Sequence, residues 1–162
     1  MKQIYNFTTE KEEIFELLVK LRWFKKSIVF TNGCFDLLHS QHINLLDESK
    51  KLGDYLIVGM NSDKSVKLLK GESRPIIGEE DRSQMLASMR SVDYVIIFDD
   101  YSVLDLIKYL KPDIITKGDD YKVDQLNDVG GEFIKSYGGK LELIPTRKGS
   151  QTSDIIKKIK DL

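Results

Sequence analysis

The sequence predicts an α/β fold: a parallel sheet of about five strands with helices on both faces. Two observations predict it. Short β-branched and aromatic runs alternate with segments of helical period along the chain, and residues suited to phosphate chemistry recur just after the strand-like runs. Such alternation builds parallel strands joined by crossover helices, which cover both sheet faces. In these sheets ligands bind beyond the carboxyl ends of the strands, where strand order reverses.

The elements follow in order. Thr9 and Glu12 have capping-box spacing ahead of Ile14, Phe15, Leu17, Leu18 and Leu21 at helical period, a helix that packs on the sheet or on a partner subunit. Residues 27–32 (SIVFTN) read as a buried strand. Ile43, Leu45 and Leu46, with Asp47, Glu48 and Lys50, make an amphipathic helix that Gly53 ends. Residues 54–59 form the next strand, with Asn61 and Asp63 at its carboxyl end and Val66, Leu68 and Leu69 on the helix after it. Helices at 79–90, 103–110 and 132–137 then alternate with strands at 94–98, 114–116 and 140–144. A last helix begins near Thr152 and carries Ile155, Ile156 and Ile159. Pro75, Pro112 and Pro145 punctuate elements, and no repeat, low-complexity tract or linker divides the chain, so residues 1–162 read as one domain.

Composition bounds the function. A chain of 162 residues with 41% hydrophobic content supports one substantial core. A net charge of −1 gives no broad electrostatic attraction to nucleic acid or to an anionic membrane. One cysteine makes no internal disulfide, the N-terminus has no signal-peptide pattern, and no apolar run approaches the ~20 residues that cross a bilayer. The expectation is a soluble cytoplasmic protein that binds neither nucleic acid nor membrane.

The most informative stretch is Gly33-Cys34-Phe35-Asp36-Leu37-Leu38-His39-Ser40-Gln41-His42, which sets two imidazoles one helical turn apart directly after a strand. Near a helix N-terminus, open N–H groups and the positive end of the dipole favour anions. Gly33 lets a phosphate or a base approach the main chain. His-x-x-His also ligates metals, but that use needs a third and usually a fourth ligand, and the chain has no other histidine and only Cys34. A pair of ordinary surface histidines is the remaining alternative.

This stretch resembles the signature of the nucleotidyltransferases that carry an H-x-G-H motif. The likeness continues through Asn61-Ser62-Asp63, Lys70-Gly71-Glu72-Ser73-Arg74-Pro75-Ile76, Arg82, Val92-Asp93-Tyr94, Lys111-Pro112-Asp113, Lys117-Gly118-Asp119-Asp120-Tyr121 and Gly149-Ser150-Gln151-Thr152-Ser153, in the order and spacing of the heptose 1-phosphate adenylyltransferases. The resemblance implies a Rossmann-like nucleotidyltransferase fold. It also implies transfer of AMP from ATP to a sugar 1-phosphate, giving pyrophosphate and an ADP-sugar for lipopolysaccharide or related glycans. Glycerol-3-phosphate cytidylyltransferases share the opening motif and a closing G-x-S-T-T, so CTP with a polyol or amino-alcohol phosphate is the alternative. Two positions depart from the pattern: Gln41 stands where the family has glycine, and Gln151-Thr152-Ser153 stands for S-T-T. Gln41 keeps a third reading open, a nucleotide-binding module without catalysis.

The same resemblance names the candidate residues. The acceptor phosphate is already an oxyanion, so the protein aligns and neutralises rather than supplying a base. His39 and His42 donate hydrogen bonds to the triphosphate, and Arg82 and Lys117 share the charge neutralisation. Gly33, Cys34, Phe35, Gln41, Asn61, Asp63, Thr152 and Ser153 make the nucleotide site, and Asp36, Lys70, Arg74 and Asp119 the acceptor side. Several have a structural alternative: an Asx turn for Asp36, a helix cap for Asp63, Thr152 and Ser153, loop support for Asp119 and Asp120, a solvated side chain for Lys70. Arg90 either touches a phosphate or offsets its helix dipole. Mg²⁺ is expected, held by the nucleotide and water because no carboxylate cluster marks a protein cage. The apolar first helix and the resemblance suggest a homodimer, and a monomer burying that helix on its own sheet fits the same pattern.

Overall fold

The computed structural model describes residues 2–100, 102–119, 130–145 and 151–162. Asp120, Tyr121, Gly149 and Ser150 of the quoted motifs lie outside the described residues. The strands are β1 (Ile4–Asn6), β2 (Ile28–Gly33), β3 (Tyr55–Asn61), β4 (Tyr94–Phe98), β5 (Ile114–Gly118) and β6 (Lys140–Ile144). The helices are α1 (Lys11–Trp23), α2 (Ser40–Lys50), α3 (Asp63–Lys70), α4 (Glu79–Ala87), α5 (Leu104–Leu110), α6 (Gly131–Ser136) and α7 (Thr152–Lys160).

All pairings are parallel, in the order β1-β4-β3-β2-β5-β6. From β2 the chain winds outward through β3 and β4, then crosses back to lay β5 and β6 on the other side of β2. Strand order therefore reverses between β2 and β5, which places the binding crevice at the carboxyl ends of those two strands.

The two sheet faces separate by strand alternation. Ile28, Phe30, Ile57, Tyr94, Ile96 and Ile115 pack with Ile14, Leu17, Leu18 and Leu21 of α1, Leu106, Ile107 and Leu110 of α5, and Ile134 of α6. Val29, Leu56, Val58, Met60, Val95 and Ile97 pack on the opposite face against Leu46 of α2 and Leu86 of α4. Buried hydroxyls fix α2 over the crevice: Thr31 Oγ1 donates to the Thr116 carbonyl at 3.0 Å, and Ser49 Oγ lies 2.7 Å from Thr116 Oγ1.

Three details differ from the sequence reading. The sheet has a sixth strand, because Ile4, Tyr5 and Asn6 pair with Val95, Ile96 and Ile97 at the edge. Thr9 and Glu12 do not cap α1, which starts after Glu10. Asn6 Oδ1 instead takes the Thr8 and Thr9 N–H groups, and the Glu10 carboxylate takes the Asn6 N–H at 2.8 Å. The helix expected to reach Arg90 stops at Ala87, so Arg90 stands exposed beyond α4. Among the described residues no helix is long and apolar enough to cross a membrane.

Candidate active site

β2 delivers the chain to the crevice, and the turn after it is tight. Phe35 and Leu37 both adopt φ of 49°, a left-handed conformation costly for bulky side chains and found where surrounding contacts enforce it. Buried Phe35 is the enforcing contact. Its ring lies 5.3 Å from that of His42, and its Cε2 sits 3.3 Å from where a Cβ on Gly33 would be. The close approach that Gly33 permits is thus to Phe35.

His39 is the N-cap of α2 and His42 follows one turn later, so their rings stack with centroids 3.9 Å apart and planes 29° from parallel. No side-chain cap hydrogen bond and no acidic first-turn residue occupies this helix N-terminus. Burial lowers the pKa of His39, and burial with His39 as neighbour takes His42 down to about 4, the weaker pull of Asp36 notwithstanding. Both imidazoles are therefore neutral at pH 7, each with one N–H to donate. Their Nδ1 atoms are buried without a hydrogen-bond partner, and the third such side-chain atom among the described residues is Asn32 Oδ1. All three orphaned atoms lie on the stretch 32–42 beside the switch point. Leaving such an atom without a partner costs about 1–3 kcal/mol, so this stretch is built to receive hydrogen-bonding groups from elsewhere.

Lys117 reaches the same place from β5. It is buried, and its Nζ donates to the Asn32 carbonyl at 3.0 Å. Strand alternation puts Lys117 and Asn32 on the Ile115 and Phe30 side of the sheet, whereas α2 brings the histidines over the other side. Gly59 opposite Asn32 leaves room for it, since a Cβ there would lie 3.2 Å from Asn32 Cβ and 2.7 Å from Phe30 Cζ.

Other expected site residues hold one another. Arg82 is fully buried and braces the crevice floor: Nε donates to the Ile77 carbonyl at 2.9 Å, Nη1 to the Cys34 and Asn61 carbonyls, and Nη2 to Asp63 at 2.7 Å. With these donors engaged, Arg82 is a positioning residue rather than a phosphate contact, and Asp63 is its partner; the cap of α3 is Ser62. Asp36 and Arg74 likewise bind each other. Arg74 Nε donates to the buried Asp36 carboxylate at 2.7 Å, and the Ile76 and Ile77 N–H groups complete its shell. Burial alone pushes this carboxyl up, but the two N–H groups and Arg74 together outweigh it and hold Asp36 below the ordinary carboxylate value. The buried Asp36 carboxylate is thereby engaged within the protein, and together the two pin the loop before α4 to the signature turn.

Asn61 gives its Nδ2 to Ser65 Oγ at 2.8 Å and is buried, so it shapes the start of α3. Burial pushes the Cys34 thiol up, which keeps it protonated. Gln41 is half-buried in the first turn of α2. Lys70 is the exposed last residue of α3 rather than a loop residue, and Asp119 is exposed with its N–H on the Ile144 carbonyl at 3.0 Å. Thr152 opens α7 and donates its hydroxyl to the Asp36 carbonyl at 3.1 Å, which brings α7 to the signature turn. Ser153 is exposed, and Gln151 with Asp154 forms the capping box. The structure thus gathers His39, His42, Lys117 and Thr152 around the turn, and adds Asn32, which had no motif to mark it. Its only sequence signal is a polar amide ending a buried strand.

A family model described as Cytidylyltransferase-like matches residues 30–158. The chain is 56% identical over 146 residues to the bifunctional protein HldE of Campylobacter jejuni subsp. jejuni, covering 90% of this chain and 30% of that protein. It is 52% identical over 132 residues to the bifunctional protein HldE of Methylobacillus flagellatus, covering 82% and 27%. The chain therefore spans less than a third of the curated relatives it matches. Among solved structures, a lipopolysaccharide core biosynthesis protein from Thermoplasma volcanium superposes with a TM-score of 0.62 at 33% identity, over 77% of this chain and 99% of that one. The fold is also that of a pantoate-beta-alanine ligase from Francisella tularensis, with a TM-score of 0.68 at 17% identity over 100% of this chain and 79% of that one. Because the family match runs from the middle of β2 into α7, through the switch point and the elements that frame it, the chain belongs to the cytidylyltransferase-like family.

Proposed function

We propose that this chain is a cytoplasmic nucleotidyltransferase that moves AMP from ATP to a sugar 1-phosphate, with heptose 1-phosphate as acceptor. The observation that carries it is the neutral, stacked His39–His42 pair, whose buried Nδ1 atoms lack partners at the switch point of a parallel sheet. An acceptor phosphate oxygen attacks the α-phosphorus, the bond to the bridging oxygen breaks, and pyrophosphate leaves. Charge grows on the α-phosphate and on the departing bridge. Neutral imidazole N–H groups stabilise that charge as fixed donors, with no proton to lose beforehand, and the open N-terminus of α2 adds its dipole. Lys117, anchored on the Asn32 carbonyl, supplies the fixed positive charge.

Among the described residues no group of three or more His, Cys, Asp or Glu side chains is placed to hold a metal. Mg²⁺ enters as part of the nucleotide substrate, as the resemblance implies. The quoted likeness to heptose 1-phosphate adenylyltransferases supports the acceptor, and the 33% identical lipopolysaccharide core biosynthesis protein supports a glycan destination. The reading includes a homodimer, supported by the exposed apolar face of α1.

The test is pyrophosphate release with Mg²⁺, ATP or CTP, and a panel holding heptose 1-phosphates and glycerol 3-phosphate. Release with ATP and a heptose 1-phosphate is expected. A signal that needs CTP moves the protein to the cytidylyltransferase alternative, and nucleotide binding without release from any acceptor overturns the catalytic reading.

A further inference from the structure

α1 is apolar on two sides. Ile14, Leu17, Leu18 and Leu21 face the sheet, while Phe15, Val19 and Trp23, one turn apart, face away and are 59%, 49% and 81% exposed. Phe24, just past the helix, is 61% exposed. With Glu16 and Lys20 these residues line a groove of about 330 Å³. A monomer has no use for three aromatic rings on the outer face of a helix whose inner face already fills the core. The charges choose the occupant. Glu16 and Lys20 stand one turn apart on the same edge of the stripe, so a second α1 laid antiparallel across a two-fold axis sets each Glu16 against the Lys20 of the other copy. The same axis serves the rings. The midpoint of Glu16 and Lys20 is position 18 and that of Phe15 and Trp23 is position 19, so one operation pairs opposite charges and brings Phe15 toward the partner's Trp23. A parallel two-fold would instead carry Glu16 and Lys20 to opposite edges of the seam, where they do not meet.

We infer that the outer face of α1 is the interface of a homodimer, built from two α1 helices crossing antiparallel with Phe15, Val19 and Trp23 at the centre and Glu16–Lys20 pairs at the edge. This deepens the homodimer of the functional reading and is independent of the reaction assigned to the site. Rows at a spacing of four interlock at about −50°. Aromatic side chains bury about 150–250 Å² each, so the pair buries on the order of 1,000 Å² in total, near the lower bound of specific interfaces. A dimer that dissociates in the micromolar range is therefore expected.

Sedimentation velocity across a concentration series tests it, on wild type, Trp23→Glu, Lys20→Glu and the double exchange Glu16→Lys/Lys20→Glu. All three positions lie on the outer face, so folding is preserved and is checked by circular dichroism. Wild type is expected to shift from monomer to dimer, Trp23→Glu and Lys20→Glu to weaken dimerisation at least ~10-fold, and the double exchange to restore most of it. Wild type monomeric throughout overturns the homodimer altogether. A dimer indifferent to Trp23→Glu overturns this face. Failure of the double exchange to recover what Lys20→Glu loses overturns the antiparallel register.

Discussion

Replacing Arg82 with alanine separates two roles that predict opposite readouts. A phosphate-contacting arginine would cost turnover and leave stability alone, whereas the brace described above must cost stability first. Truncation removes the donor from the Cys34, Asn61 and Ile77 carbonyls and the cation from Asp63. A hydrogen bond from a charged donor contributes about 1.5–3 kcal/mol, so the three carbonyls together lose about 4.5–9 kcal/mol. The Asp63 side chain is 40% exposed, so water replaces much of its partner and its share is small. Set against a total stability of about 5–15 kcal/mol for a folded domain, such a loss is severe. At about 2–4 °C per kcal/mol for a chain of this size, the melting midpoint falls by about 10–35 °C. Thermal melts followed by circular dichroism, with pyrophosphate release assayed well below both midpoints, measure the two effects side by side. Arg82→Lys keeps a charge but cannot reach three carbonyls at once, and its midpoint is expected between the two. An Arg82→Ala protein that melts within a few degrees of wild type, yet turns over ~100-fold more slowly, would refute the brace and return Arg82 to the phosphates.

Other expectations follow from the crevice. His39→Ala and His42→Ala each lower turnover by on the order of 100-fold with little change in melting temperature, since each ring carries an unpartnered buried nitrogen in the apo protein; full activity in both variants rules the pair out of catalysis. Burial holds the folded His42 pKa near 4 against an unperturbed 6.5, so between those values the unfolded chain takes up the proton first. Stability is therefore complete above about pH 6.5 and falls by about 2–3 kcal/mol as pH drops to 4. Urea titrations across that window on wild type and His42→Gln check the sign, because the variant loses this part of the slope. Asn32→Ala removes an unsatisfied buried oxygen, so the apo protein melts no lower than wild type while ATP or acceptor affinity drops about 10-fold. Lower melting with unchanged affinity for both, by calorimetry and KM, would assign Asn32 to structure alone.

Much of the architecture was legible because it is periodic. Runs such as Ile28-Val29-Phe30 and Tyr94-Val95-Ile96-Ile97-Phe98 satisfy a sheet buried on both faces, and that requirement is written into consecutive residues. β1 was not legible, since three residues carry no period and become a strand only by pairing with β4, some 90 positions away. The histidines were found because helical spacing sets them together locally. Arg82, Asp36 and Arg74 were recognised as charged residues beside motifs, but their partners are chosen in space. Asp36 meets Arg74 across 38 positions, and Arg82 meets Cys34 across 48. Sequence gives the charge of such a group and withholds whether another side chain has already engaged it.

The turn after β2 is closed from far along the chain. Thr152 at the start of α7 donates to the Asp36 carbonyl, and Asn44 of α2 donates to the Pro145 carbonyl at 3.1 Å, contacts spanning 116 and 101 positions. During synthesis the signature turn therefore leaves the ribosome long before Pro145 and Thr152, which hold it. A nascent chain stalled before Thr152 has its sheet strands and both imidazoles, yet lacks the clasp that holds the turn. The clasp on the turn therefore forms only after the chain beyond β6 has been made.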